Sequence, residues 1–315
     1  MALRKTFTWL TRLVTFWVFS VNAGYAEEVL PSHVYQASKT VVSLLVEMNE
    51  VNNSLPDEYE TTVTNRQPRH VIQKARELYL RVLNLREELG LPRKMLAPLP
   101  TQEVRPADVK HLVDLITTDL RELSKKYDPN IDARKFAYQA GKTPTDVYRL
   151  LHSAVYLMDA LSIDPTTPSN VYRIAIVALQ DMKLIHEKLG IAARIERKPV
   201  ADKVPADVFE KTRSTIATIK DLCATSRRYC IPGGVTVPDD RSWWREYFDP
   251  TQPKHVLDLV NSMVAEVSAL KKQLGITEQK ILPHLAGGKT PSDVYALVEM
   301  VNAHLKALTA GPSKH

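Results

Sequence analysis

The sequence predicts an all-α protein of two tandem four-helix bundles, with an eight-helix α-solenoid as the alternative packing. Three observations predict it. Glycine is scarce beside proline, 10 against 20; helices exclude glycine from their interiors and accept proline in their first turn. A Pro-x-x-Val motif opens eight runs of helical periodicity, starting at Pro31, Pro68, Pro106, Pro144, Pro168, Pro205, Pro253 and Pro291. From each valine, apolar residues return at alternating steps of four and three, the 3.5-residue average of left-handed helix packing.

The chain begins with a segment that does not belong to the fold. Arg4, Lys5 and Arg12 precede a short apolar run from Leu13 to Val21, and Val21-Asn22-Ala23 and Gly24-Tyr25-Ala26 both offer small residues at a cleavage site. Residues 1–26 therefore read as a secretory signal peptide cleaved near Ala23 or Ala26, giving a periplasmic or secreted protein. Removing it lowers the formal net charge from +6 to +3, with 39 basic and 36 acidic residues left. That balance, together with export, argues against nucleic acid as a partner. No later stretch is apolar enough to span a bilayer.

Successive motif prolines are 37, 38, 38, 24, 37, 48 and 38 residues apart. The short step divides the helices into modules at 27–164 and 165–315. The fourth and eighth copies, Gly141-Lys-Thr-Pro-Thr-Asp-Val-Tyr148 and Gly288-Lys-Thr-Pro-Ser-Asp-Val-Tyr295, are nearly identical and close the two modules. The first copy is a weaker match, with Ser38 in its seam. The second carries Val71, Ala75, Leu78, Val82, Leu85 and Leu89. The third and fifth fit throughout. The fourth carries Val147, Leu151, Ala154, Met158 and Leu161, and the sixth is weakened by Thr212 and Thr215. The seventh carries Val256, Val260, Met263, Val267, Leu270 and Leu274; the eighth, Val294, Val298, Val301, Leu305 and Leu308.

Starts and stops have a mechanism. Thr143, Thr167 and Thr290 occupy N-caps, proline follows, and Asp146, Asn170 and Asp293 stand where a capping box reaches back. Gly90, Gly190 and Gly275 suit the left-handed position after a helix end. Helices of about 18–23 residues, roughly 27–35 Å long, leave unusually long connections. Extra turns are expected near Ile131–Tyr138 and Glu278–His284. The short link from Leu161 to Pro168 suggests that helices four and five pair antiparallel.

The tempting motifs have plainer explanations. Gly-Lys-Thr at 141–143 and 288–290 lacks the glycine a phosphate loop needs five residues earlier, where Phe136 and Pro283 stand. His33, His70 and His255 share one repeat slot that holds Asp or Asn in the other copies, which marks a polar first-turn position and no metal site. His186-Glu187 lacks the second histidine of a zinc-protease helix. Arg76–Glu77 and Arg86–Glu87–Glu88 read as solvated helix faces. No cofactor motif is present.

Cys223 and Cys230 are the two cysteines of the chain, and an exported protein permits their pairing. Seven residues of continuous helix would hold them about 10.5 Å apart, beyond disulfide reach, so the sixth helix must end between them. The long 48-residue step carries an aromatic insertion near 229–250. Its Tyr229, Arg241, Trp243, Trp244, Arg245, Tyr247 and Phe248 either plug the second bundle or form a ligand- or partner-binding surface. The expected function is an exported, non-enzymatic adaptor or scaffold module of the cell envelope. The alternative is a periplasmic small-ligand sensor or carrier with its pocket under Trp243–Phe248.

Overall fold

A computed structural model of the chain describes residues 28–56, 63–92, 94–96, 98–162, 166–192, 194–238, 251–279 and 281–309. The predicted signal peptide lies outside them. Among the described residues there are eight α-helices and no strand: α1 (Pro31–Val51), α2 (Pro68–Glu88), α3 (Pro106–Tyr127), α4 (Pro144–Leu161), α5 (Pro168–Leu189), α6 (Pro205–Thr225), α7 (Pro253–Gln273) and α8 (Pro291–Ala307). Every helix begins on its motif proline.

The starts are held as the residue types require. Thr143 N–H donates to the Asp146 carboxylate at 2.8 Å, and Asp146 N–H returns to Thr143 Oγ1 at 3.3 Å; Thr290 and Asp293 repeat this at 3.0 and 3.3 Å. The repeat-slot histidines do the same work. Their Nδ1 atoms accept from Leu30, Gln67 and Gln252 N–H at 3.0, 2.9 and 3.1 Å, for His33, His70 and His255 respectively. Gly90, Gly190 and Gly275 take the left-handed conformation after α2, α5 and α7.

Two apolar cores form, one from residues between Val34 and Leu161, the other between Val171 and Leu308. The seam positions are buried, including Ser38, Thr212 and Thr215, except at the helix ends, where Leu89 and Leu274 are half-buried. Both threonines return their hydroxyls to the preceding turn, at Val208 O and Lys211 O. In the first group α1 and α2 each pack on α3 and α4 and stand diagonally across from one another; α5 and α6 relate to α7 and α8 in the same way.

All four helices of a group run parallel. Lys142 N–H, just before α4, donates to Ser32 Oγ in the first turn of α1 at 3.2 Å, and Lys289 N–H donates equivalently to Ser169 Oγ at 3.1 Å. Arg66 N–H meets Thr145 Oγ1 at 3.0 Å, and Lys203 N–H meets Ser292 Oγ at 3.0 Å, which aligns α2 with α4 and α6 with α8. The far ends agree: Asn49 Nδ2 donates to Leu157 O at 2.9 Å, and His186 Nε2 donates to His304 O at 2.9 Å. At the near end of the second group, Pro168, Pro205, Pro253 and Pro291 surround one apolar dimple with their valines.

Parallel neighbours explain the long connections, since each must travel back the whole length of a helix. About 30 Å needs at least nine extended residues. Residues 128–143 show the route along α1: Arg134 Nε meets Glu47 at 2.7 Å, Thr40 Oγ1 donates to Arg134 O at 3.1 Å, and Gln36 reaches Phe136 O. Among the described residues of 131–138 and 278–284 the expected extra turns are therefore not formed, because an extended chain covers the distance with fewer residues. Among the described residues, one additional turn is formed, a 3-10 turn at Arg227–Tyr229.

The groups meet through α2 and α7. His70, at the start of α2, pairs with Glu266 late in α7, while Arg81 late in α2 lies near Lys254 at the start of α7. The two groups therefore run in opposite senses. The expected tight pairing of α4 with α5 does not occur, because each packs its seam within its own group. The short link suffices because α5 starts at the level where α4 stops.

Candidate functional site

The junction of α2, α4 and α7 holds a concentration of buried charge. Helix α2 is buried on two sides: one carries its seam, the other turns His70, Lys74 and Glu77 toward α7. Lys74 is 1% exposed and Glu77 6%. Lys74 Nζ lies 2.7 Å from Glu77 Oε2 and 2.6 Å from Asp258 Oδ1. Tyr148 of α4 donates its hydroxyl to Asp258 Oδ1 at 2.5 Å, and Asn261 Nδ2 donates to Glu77 Oε2 at 2.9 Å. Arg66 stacks over the Tyr148 ring, 4.7 Å from its centre. These partners satisfy charges whose burial would otherwise be costly.

A second knot lies where α2 begins. Glu266 accepts from Arg69 Nε at 3.1 Å, from Thr236 N–H at 3.2 Å and pairs with His70 Nε2 at 2.9 Å. Arg69 also donates to Pro232 O at 3.1 Å and to Gly234 O. The strand of chain after Tyr229 is thus clamped between the groups.

Beside the first knot opens a cleft lined by Lys74, Glu77, His152, Tyr156, Lys254 and Asp258, among others, with about 440 Å³ of space partly open to solvent. Lys254 Nζ lies 4.6 Å from the centre of the Tyr156 ring. Burial opposes the charge on Lys74, but Asp258 and Glu77 outweigh it and push the lysine above its ordinary value. Burial also opposes ionisation of Asp258, yet Lys74 holds it well below the usual carboxylate range. Burial, with Lys74 adding to it, lowers His152 to about 4; burial and then Lys254 lower His255 to about 4. Burial and Asp258 raise Tyr156 to about 12. The site therefore presents fixed charges and neutral imidazoles at neutral pH.

Cys223 and Cys230 form a disulfide with their Cα atoms 4.5 Å apart, and α6 ends at Thr225 between them. Tyr229 is a core residue at 1% exposure, its hydroxyl donating to Leu308 O at 3.4 Å. It seats the turn and offers no open surface. Arg241, Trp243, Trp244, Arg245, Tyr247 and Phe248 lie outside the described residues. Their segment rejoins the described chain at Thr251, three residues before Lys254 of the cleft.

The expectation of solvated faces fails at Glu77 and at Arg86, which is 2% exposed. Arg86 is held by Asp119 at 3.1 Å and Glu122 at 2.5 Å on the neighbouring α3. Lys74, Tyr148, His152, Asp258 and Glu266 are not evident from motifs. One signal for them exists: Leu257, Leu259 and Val264 give α7 apolar positions off its seam, as a helix with two neighbours requires. Among the described residues no group of three or more metal-type side chains converges, and no helix is long and apolar enough to cross a membrane. Comparisons with protein-family models, with curated proteins and with solved structures find no match.

Proposed function

We propose that the protein is an exported, non-enzymatic binding module of the cell envelope, which recognises another protein at the junction of its two bundles. One observation carries this. Six shifted groups around the cleft move away from neutrality, Lys74 and Tyr156 upward, Asp258 and Glu77 downward, His152 and His255 to neutral imidazole; Lys254 is lowered, by burial and then by Arg81. A general acid or base works best with a pKa near the operating pH. Permanent charges instead provide complementarity toward a partner. The order of the chain supports the same reading, because the Arg241–Phe248 segment, rich in the residue types of interface hot spots, leads directly into Lys254 and His255.

The test is a cross-linking pull-down from native envelopes with the mature chain as bait. Trp243→Ala/Trp244→Ala and Lys254→Glu should each lose the partner at an unchanged melting temperature. Equal recovery by both variants would refute the assignment. A small-ligand sensor is the second reading, favoured by charged side chains and the Tyr156 ring converging on one cleft. The mature chain has Trp243 and Trp244 as its tryptophans. Saturable quenching of their fluorescence by a small metabolite, without any protein partner, would favour it.

A further inference from the structure

We propose that the junction between the two bundles is an acid-released latch, in which protonation of His70, His152 and His255 loosens α7 from α2 and α4 while each bundle keeps its own core. This does not depend on what the protein binds. It rests first on how α2 and α7 begin. Their third residues, His70 and His255, accept the N-cap N–H of Gln67 and Gln252 on Nδ1. Each ring therefore carries its proton on Nε2 in the neutral state. His70 uses that proton toward Glu266, 2.9 Å away. A second proton must go onto Nδ1, where it would face the cap N–H donor to donor, and the cap is lost.

The other helices are not built this way. The same slot holds Asp in α3, α4, α6 and α8 and Asn in α5. Those acceptors survive mild acid. The remaining histidine-capped helix is α1, and His33 lies away from the junction. Both helices that join the bundles thus carry histidine caps.

His152 adds a third protonation site between the two capped ends. Its Nε2 lies 3.9 Å from Asp258 Oδ2, with Lys74 and Glu77 facing it from α2, Arg66 from the preceding connection, and Tyr148 and Tyr156 from its own helix. A proton there places a cation beside the buried Lys74. His70 is faced by Glu266 from α7 and by Arg66 and Arg69; Arg69 already shares that carboxylate. His255 is faced by Lys254 and Asp258 of its own helix, with Tyr156 of α4 and Phe209 of α6 lining the same cleft.

The sign follows from these positions. All three histidines lie below their ordinary value of 6.5, His152 and His255 at about 4, with burial the largest cause. The stability they contribute is complete above about 6.5 and is lost as the pH falls toward 4. Asp258, Glu77 and Glu266 are also lowered, so they stay ionised through that window and weaken the junction only in stronger acid. A competing site exists inside the second bundle, where His186 and His304 of α5 and α8 pack with Nδ1 atoms 3.4 Å apart.

Hydrogen–deuterium exchange of the full mature chain at pH 7.5 and 4.5, corrected for intrinsic exchange rates, separates these cases. Protection of the first turns and facing surfaces of α2 and α7 should fall at least tenfold at pH 4.5, with α3 and α5 changed less than twofold. His70→Asn/His152→Gln/His255→Asn should abolish the loss, since Asn170 already caps α5 without titrating. If His152→Gln unsettles α4, the His70→Asn/His255→Asn pair is scored, and it should regain at least tenfold protection over the native chain at pH 4.5. Unchanged protection in acid, loss confined to α5 and α8, uniform loss in all helices, or loss persisting in the asparagine variants would each overturn the proposal.

Discussion

Lys74→Met probes the buried knot directly. Methionine matches the lysine stem in length, so the change removes a charge and opens little space. It leaves Glu77 and Asp258, formerly 2.7 and 2.6 Å from the ammonium, facing each other across α2 and α7. Arg81 at 3.1 Å from Glu77 and the Tyr148 hydroxyl on Asp258 offset part of the loss. Breaking one partner out of a buried ion pair costs about 3–5 kcal/mol, because the remaining charge is stranded. At roughly 2–4 °C per kcal/mol for a domain of this size, the melting point should drop by about 6–20 °C. Adding Asp258→Asn should restore most of the stability, since it removes the stranded charge and keeps an oxygen for Tyr148. The pH dependence gives a second check. In the native protein the depressed Asp258 contributes stability above its ordinary value that is lost only as pH falls through its lowered one. In Lys74→Met, burial without a cation favours the protonated acid, so the variant should gain stability relative to the native protein as the pH falls from 7 to 5. Guanidinium unfolding followed by circular dichroism measures both effects. A loss below about 1 kcal/mol, or parallel pH curves for the two proteins, would refute the picture of a charge-paired knot.

Reduction of Cys223–Cys230, or Cys223→Ser/Cys230→Ser, should cost about 2.5 kcal/mol for so short a loop. Melting curves with and without reductant measure it, and identical curves would contradict a structural role. Asn49→Ala removes the bond to Leu157 O at 2.9 Å that ties the far ends of α1 and α4, and with it the bond to Leu45 O at 2.8 Å within α1. The expected loss is about 1–3 kcal/mol by chemical denaturation, for a buried polar group left unpaired; a value near zero would mean water replaces the amide.

The eight helix starts were legible because proline, valine and the polar third residue each act locally. A cap is satisfied within four residues, so its signature survives without knowledge of the fold. The same is true of Gly90, Gly190 and Gly275, whose left-handed backbone is a property of the helix end itself. Helix direction was not legible. A four-three seam states which side of a helix is buried, and it reads the same whether the neighbour runs parallel or antiparallel. Tyr229 illustrates a different limit: as part of an aromatic cluster it read either as a plug of the second bundle or as a binding surface, and the position of the 3-10 turn shows that it fills a core. For Lys74, Glu77, Asp258 and Glu266, charge argued for solvent. What buries them is a second bundle supplied more than 170 residues later in the chain for α2 and α7. A local pattern carries no trace of such a neighbour except the extra apolar positions of α7.

The parallel arrangement of helices has a kinetic consequence. In an up-and-down bundle, successive helices close like hairpins and most contacts are local. Here, the contacts that set the register join residues such as Ser32 with Lys142, Asn49 with Leu157 and His186 with His304, 110, 108 and 118 positions apart. Large loops must therefore close before the packing that rewards them exists, and rates fall as contacts become less local. By this measure the protein should fold more like a β-sandwich than like a helical bundle. A chain exported as proposed would gain from that delay, since a slow folder stays threadable until it has crossed the membrane.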